Sequence, residues 1–289
     1  MRRKIKNIIN NSLIDSNNKI IDLLNSDKNF IISRLGLGQE TSLTYKYIKD
    51  NIIEKNTYPL NNNAGIYFRE KKELELYFNL YNECIKNTDS LACFVDTLHN
   101  IQDYFCDKYN INKIKSRILE PFYCILEDII PWTLELKNKK VLIINSFVES
   151  FQKQQKNNFQ IFKDKPIFDK DQEFIFYKSY NTSAGNHLHS SWVETFELMK
   201  KDISKIDFDI ALLGCGGYGL PLCNFIKKEL YKSAIYIGGG LQLLFGVKGK
   251  RWNSHPIIGK IIKDNGKFIS PSGEEIIKNK EKIEGGCYW

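Results

Sequence analysis

Between residues 209 and 252, glycines and cations are spaced as a phosphate-binding unit would need them. An apolar run, 209–213, reads as a buried parallel strand and leads directly into Gly214, Gly216, Gly217 and Gly219, with Cys215 and Tyr218 between them. Pro221 then opens a helical stretch through Leu230. A second apolar run, 234–237, ends in Gly238, Gly239 and Gly240, and Lys248, Lys250 and Arg251 follow. Glycine lets backbone N–H groups approach an anion, a helix N-terminus adds unpaired donors and partial positive charge, and Lys and Arg neutralise a diphosphate. Gly214, Gly216 and Gly219 match G-x-G-x-x-G between a strand and a helix. A dinucleotide enzyme also wants an acid at the end of the second strand, where this chain has three glycines. The unit therefore predicts a nucleotide or other phosphate ligand and weakens NAD. The bland alternative is a pair of tight strand-to-helix turns, and two such loops beside a basic run weigh against it.

Other chemistry-bearing residues are scattered, and each has a structural alternative. Glu40 follows Gly36 and Gly38 at a helix start. It reads as a general base or a sugar-hydroxyl ligand, or as an acid complementing the helix dipole. Arg34 reads as a phosphate contact or an ion-pair partner of Glu40. Asn62 and Asn63, beside Gly65, read as base or sugar contacts or as a surface turn. Glu149 is a second acid candidate or an exposed first-turn charge. His187 and His189 read as substrate contacts or a catalytic base, with no nearby set to complete a metal site. Trp192 and Tyr218 offer rings for stacking. Core packing is the default for Trp192, and Tyr218, set between glycines, is less easily buried.

Helices are predicted over residues 1–30, 41–53, 70–87, 148–156, 191–203 and 221–230. Strands are predicted over 30–32, 91–95, 140–144, 174–177, 209–213 and 234–237. Leu74, Tyr77, Phe78, Tyr81 and Ile85 fall on one helical face. Residues 58–66 and 181–189 read as polar loops, 97–109 and 112–128 as mixed helix and aromatic packing, and the stretch from 253 as an irregular tail. The alternation of strand and helix predicts an α/β fold, a largely parallel Rossmann-like sheet flanked by helices in one domain over 1–289, with an aromatic-rich helical stretch at 70–135. Ligands in such sheets bind beyond the carboxyl ends of the strands, which gathers loops 33–40, 145–149, 181–190 and 214–219, with 238–251, onto one edge.

Composition sets the surroundings. Of 289 residues, 42 are Lys or Arg and 34 Asp or Glu, a net charge of +8 that suits an anionic substrate or peripheral contact with an anionic membrane. The chain carries no basic arm, zinc-finger spacing or RNA-binding signature, so nucleic acid is not expected as a partner. Seven scattered cysteines without a C-x-x-C pair point to a reducing, cytoplasmic setting. The basic start lacks the apolar stretch of a signal peptide, and no run reaches membrane-spanning length.

Several segments together resemble a family. Arg34-Leu35-Gly36-Leu37-Gly38-Gln39-Glu40 is similar to the Arg- and Gly-containing opening loop of GT-D-fold glycosyltransferases associated with surface-polysaccharide biosynthesis. VLIINSFVESFQKQ (141–154), FDIALLGCGGYGLPL, IGGGLQLLFGVKGKRW and the final EGGCYW resemble relatives of the same family, in the same order. The resemblance implies transfer of a sugar from a nucleotide sugar to a glycan, lipid or protein acceptor. Gly214, Gly216, Gly217, Gly219 and Gly238 to Gly240 would then shape the diphosphate site. Lys248, Lys250 and Arg251 would stabilise the leaving nucleotide, and Gln242, Tyr218, Arg34, Gly36, Gly38, Asn62 and Asn63 would join the substrate-binding set. Glu40, Glu149 and His187 are the candidate catalytic residues. The family's Asp-x-Glu motif is incomplete here, because Gly38 stands two residues before Glu40. That departure puts the family's Mn or Mg ion in question and leaves the cations to supply the charge. It also keeps open a non-catalytic polysaccharide-assembly or glycan-binding protein. A Rossmann-type NAD- or adenosylmethionine-dependent enzyme is the other alternative.

Overall fold

A computed structural model describes residues 2–54, 56–94 and 98–289, with 2–11 and 99 as backbone only. Its strands are β1 (Ile31–Ser33), β2 (Ser90–Cys93), β3 (Asn112–Lys115), β4 (Val141–Asn145), β5 (Phe174–Lys178), β6 (Ile210–Gly214) and β7 (Ser233–Tyr236). They form one all-parallel sheet in the order β3-β2-β1-β7-β6-β4-β5. Register brings Ile143 beside Leu212, and Leu212 and Ile32 beside Ile235. Successive side chains point to opposite faces, so each strand feeds two cores. The fold is α/β and Rossmann-like, with helices covering both faces of a parallel sheet.

The helices are α1 (Arg2–Leu24), α2 (Gln39–Asp50), α3 (Lys71–Lys86), α4 (His99–Tyr109), α5 (Phe122–Leu126), α6 (Val148–Lys156), α7 (Trp192–Ile203), α8 (Gly219–Lys228), α9 (Leu241–Leu244), α10 (Lys250–Asn253) and α11 (Ile258–Asn265). Residues of α1, α5, α6, α9 and α11 pack with Ile143, Leu212 and Ile235 on one face. Residues of α2, α3, α4, α7 and α8 pack with Ile144, Leu213 and Ala234 on the other. The face read from 70–87 is buried as expected, with Leu74, Tyr77, Phe78, Tyr81 and Ile85 all in the second core. Ser191 caps α7, its Oγ accepting from Glu194 N at 3.4 Å, a Ser-x-x-Glu start legible in the sequence.

Three segments differ from the sequence reading. Residues 112–115 form edge strand β3 rather than mixed helical packing. Ile114 is its one buried residue, so no apolar alternation announces it. Residues 60–64, expected as loop, make a π-helical turn, Leu60–Ala64, closed by Gly65 at φ 70°. The stretch from 253, expected to be irregular, contains α11, whose Ile258 and Ile262 reach the core although Gly259 dilutes the helical signal. Val95 and Thr97, at the ends of two predicted segments, lie outside the described residues.

The strand order reverses at β4. The chain steps outward from β4 to edge strand β5, then returns to β6 on the other side. Asn145, at the end of β4, bridges this switch. Its Nδ2 donates to Gly214 O at 2.6 Å and its Oδ1 accepts from Phe147 N at 2.8 Å.

The chain after α11 runs back across this edge. Buried Glu275 accepts from Ser150 N at 2.9 Å and from Ser150 Oγ, capping the first turn of α6 from far along the sequence. Glu275 O accepts from Trp289 Nε1 at 2.8 Å. Glu275→Ala leaves the Ser150 donors without their acceptor and should lower stability by about 1–3 kcal/mol in urea denaturation. Glu275→Gln keeps an acceptor oxygen and should lose less.

Candidate functional site

Beyond the carboxyl ends of β4, β6 and β7 lies a cleft of about 110 Å³. Asn145, Ser146 and Phe147 form one wall and Gly214, Cys215 and Gly216 the next. Gly238, Gly239 and Gln242 follow, 179–183 and Asn63–Ala64 close a side, and Tyr288 and Trp289 close the top. This is the crevice at a strand-order switch where doubly wound sheets take their ligands. Three of the loops gathered by the sequence reading meet here, together with the start of the second glycine segment. Of loop 33–40, Gly36 and Glu40 stand elsewhere, in a small recess behind Gly216, Gly217 and Tyr236.

The glycines do different jobs. A Cβ on Gly214 would lie 2.6 Å from Gly238 O and 2.9 Å from Asn145 Nδ2, so this position needs a bare backbone for the strand ends to meet. Gly216 and Gly238 have φ of 56° and 75°, left-handed values that favour glycine. Gly217 packs on Ile66 and Ala64, and Gly219 packs against the Tyr236 ring. The loop is thus partly a packing device. Tyr218, which the sequence reading left free for stacking, is a core residue. Its ring is buried, stacked 5.2 Å from Trp192, and its hydroxyl meets Thr182 Oγ1 at 2.8 Å. Cys215 is also buried, which pushes its thiol well above the ordinary range and leaves it protonated.

Of the three expected cations, Arg251 alone lies over the second glycine turn. A Cβ on Gly239 would collide with its Nη2. Its guanidinium stacks on Tyr288 at 4.1 Å and Trp252 at 4.6 Å, and Nη1 lies 3.8 Å from Glu284 Oε2. Arg34 rests beside Gly238 from the end of β1, over the Phe94 ring at 4.4 Å. The Nε atoms of both arginines are buried without a hydrogen-bond partner. Lys248 instead turns to Asn253 Oδ1 at 3.3 Å, and Lys250 is exposed at the start of α10. Their backbones run under the final residues, with Lys250 N donating to Trp289 O at 2.9 Å.

Two buried carboxyls lie near these arginines, Glu40 close to Arg34 and Glu120 close to both. Burial raises the Glu40 carboxyl above the ordinary glutamate value, against the pull of the Glu40 and Gly38 backbone N–H groups and of Arg34. Its oxygens fold back over Gly36 and Gly38, where any Cβ would displace them. Burial likewise raises Glu120, against Arg34, Arg117 and Arg251. Glu120 lies beside Gly240, and a Cβ there would be 2.5 Å from its Oε1. Sequence reasoning missed Glu120 because no glycine loop or strand end frames it; it sits between a 3-10 turn, Ser116–Leu119, and α5. Only Pro121 after it marks a break.

No family model, curated protein or solved structure matches this chain. No helix among the described residues is long and apolar enough to cross a membrane.

The remaining candidates are dispersed. Asn63 lines the cleft. Asn62 is buried, its Nδ2 spent on Lys282 O at 2.8 Å and Asn63 Oδ1 at 2.7 Å. Gln242 is buried and donates to Val247 O at 3.3 Å and Tyr288 O at 3.4 Å, tying the final residues down. Glu149 is exposed and paired with Lys178 at 2.6 Å. His187 stacks on Tyr67 at 3.7 Å with Nε2 2.8 Å from Asn61 Oδ1, and partial burial lowers its pKa. His189 meets Thr195 Oγ1 at 3.0 Å. The residues present do not fit the divalent cation of the resembled family. Gly38 stands where an Asp would be, Glu40 folds back on its own loop, and no group of three His, Cys, Asp or Glu gathers in ligating reach among the described residues.

Two outcomes follow from this geometry. Because Glu40 holds its proton more tightly folded than unfolded, wild-type stability falls as pH rises from the ordinary to the raised value. Glu40→Gln should therefore melt higher than wild type at pH 7, with the gap closing below about pH 4, in thermal melts across pH. Gly219→Ala drives a methyl into the Tyr236 ring and should lose about 1–3 kcal/mol in urea denaturation.

Proposed function

We propose that this chain is a glycosyltransferase of GT-D-like fold. It would move a sugar from a nucleotide-sugar donor to a glycan, lipid or protein acceptor. The observation that carries the reading is the pair of arginines, Arg34 and Arg251, resting on Gly238 and Gly239 with both Nε atoms unengaged. Gly238 and Gly239 are also cleft wall, so an anion in the cleft would lie across one glycine backbone segment from the two guanidinium groups. A leaving nucleoside diphosphate gains negative charge as the glycosidic bond breaks. Fixed cations stabilise that charge without rearranging during the reaction. Arg251 is stiffened by its two flanking rings, so little freedom is lost when it binds.

The cleft itself has room for phosphate-sized groups, and a groove of about 680 Å³ adjoins it. His187 lines that groove and is held toward its neutral form, which suits a base accepting a proton from an acceptor hydroxyl. Glu40 lies behind Tyr236, so its part in this reading is to set the field around Arg34. One observation favours a second reading, a non-catalytic polysaccharide-assembly or glycan-binding protein. The carboxylate pair of the resembled family is missing, and the one acid present turns inward.

Thermal-shift titration with nucleoside diphosphates and nucleotide sugars, with and without manganese, and with NADH and adenosylhomocysteine, tests the proposal. UDP or another nucleoside diphosphate should raise the melting temperature without added metal. Arg251→Ala should weaken that binding by about 10- to 100-fold, the worth of one charge-assisted contact. Full retention of affinity in Arg251→Ala would sink the arginine assignment. A folded protein that responds to no nucleotide would favour the non-catalytic reading.

A further inference from the structure

The groove beside the cleft differs from it in chemistry. It runs along edge strand β5, between Tyr177–Asn181, the 185–188 loop, Asp202 and the 274–278 segment, and holds about 680 Å³. Ser146, Ser179, Tyr180 and Asn181 line both spaces, so a group bound in the groove abuts one bound in the cleft. Its charges are mixed. Lys178 and Lys278 face Asp202, Glu274 and Glu275, and Lys178 Nζ is already held by Glu149 at 2.6 Å and Glu274 at 3.7 Å. Such a lining does not select an anion, unlike the arginine pair over the glycine turn. It offers the half-buried rings of Tyr177 and Tyr180 among amides and carboxylates.

Neutral sugars need that combination. Their vicinal hydroxyls bond to carboxylates and amides, and their apolar C–H faces lie on aromatic rings. Asn186 is committed to the protein, its Nδ2 donating to Ser183 O at 2.7 Å and Lys278 O at 2.9 Å and its Oδ1 accepting from Lys278 N at 3.2 Å, which clamps the 185–188 loop to the 274–278 segment. That clamp also sets the width of the groove. Asp202 is 45% exposed, with Lys205 at 3.3 Å and the Tyr177 hydroxyl beside it, so it presents a partly exposed carboxylate to the groove. Exposed Leu188 and Ile276 form an apolar rim. Because β5 is the sheet edge, a chain longer than one sugar can leave the groove without meeting another strand.

We propose that this groove is the acceptor subsite and that it takes an uncharged saccharide of two or more units. The inference rests on the donor reading above for the word acceptor, but not for the binding itself. Saturation-transfer NMR on the full chain, with cellobiose, lactose, maltose and N,N′-diacetylchitobiose as probes, tests it. UDP stabilisation is measured on the same samples. Wild type should show transfer to at least one disaccharide. Asp202→Asn and Ile276→Arg, neither of which lines the cleft, should each weaken it by about tenfold, the worth of one lost contact to a charged group or of a blocked groove. Both should keep the UDP response and the wild-type circular dichroism. Absence of transfer from all four probes, or transfer that survives both substitutions, overturns the inference. Disaccharide binding without any UDP response leaves the saccharide groove standing and sinks the donor reading instead.

Discussion

The carboxyl edge of the sheet is organised by one close approach, that of Gly214 to Gly238 and Asn145. The carbonyl of Gly238 and the amide of Asn145 occupy the space a side chain at 214 would need. The ends of β4, β6 and β7 are thereby drawn together at the point where the strand order reverses. Asn145 secures the contact with one bond to each side of the turn. The chain leaving β4 must diverge from the chain leaving β6, and the cleft is the space that this divergence opens. A bulkier residue at 214 would push Gly238 away, and with it the backbone on which Arg34 and Arg251 rest.

The final residues convert an open sheet edge into a walled site, mainly through backbone bonds. Trp289 O accepts from Lys250 N, Cys287 O accepts from Arg251 N at 3.3 Å, and Lys282 O accepts from Asn62 Nδ2. Gly249 allows the chain to pass, since a Cβ there would collide with Cys287 O. Trp289 meets Phe147 edge-on at 5.7 Å, joining this segment to the turn after β4. The same residues supply Tyr288, against which Arg251 is stacked. The strap and the cation site are therefore one construction, and loosening the first disperses the second.

Much of this was legible in the sequence. Strands β4, β6 and β7 declare themselves as short apolar runs because both faces of a parallel sheet are buried. The glycine turns could be placed because a strand and a helix flank the first, and the two sit on consecutive strands. What escaped is what no local pattern encodes. Strand β3 has one buried residue, and the insertion of β7 between β1 and β6 is a matter of tertiary pairing. Glu120 reaches Arg34 and Arg251 only through the fold. The basic run misleads for a related reason. Lys248, Lys250 and Arg251 are neighbours in sequence, but Arg251 alone is turned toward the glycines, while Arg34 arrives from a strand more than two hundred residues earlier. Tyr218 was misjudged because flanking glycines suggested exposure, whereas they let the backbone come close enough to bury its ring.

The cluster of Arg34, Arg251, Glu40 and Glu120 is poorly compensated for a structural ion network. Both arginines keep a buried Nε without a partner, and both carboxyls are pushed toward protonation by burial despite nearby positive charge. Natural structures seldom leave buried polar groups unpaired, and the exceptions tend to sit at functional sites. On the proposed reading the imbalance has a physical sense. A diphosphate held in the cleft against Gly238 and Gly239 would, being negative, push both glutamates further toward the neutral form. Neutral carboxyls no longer compete with the ligand for the guanidinium groups. Anion binding and proton uptake are then coupled.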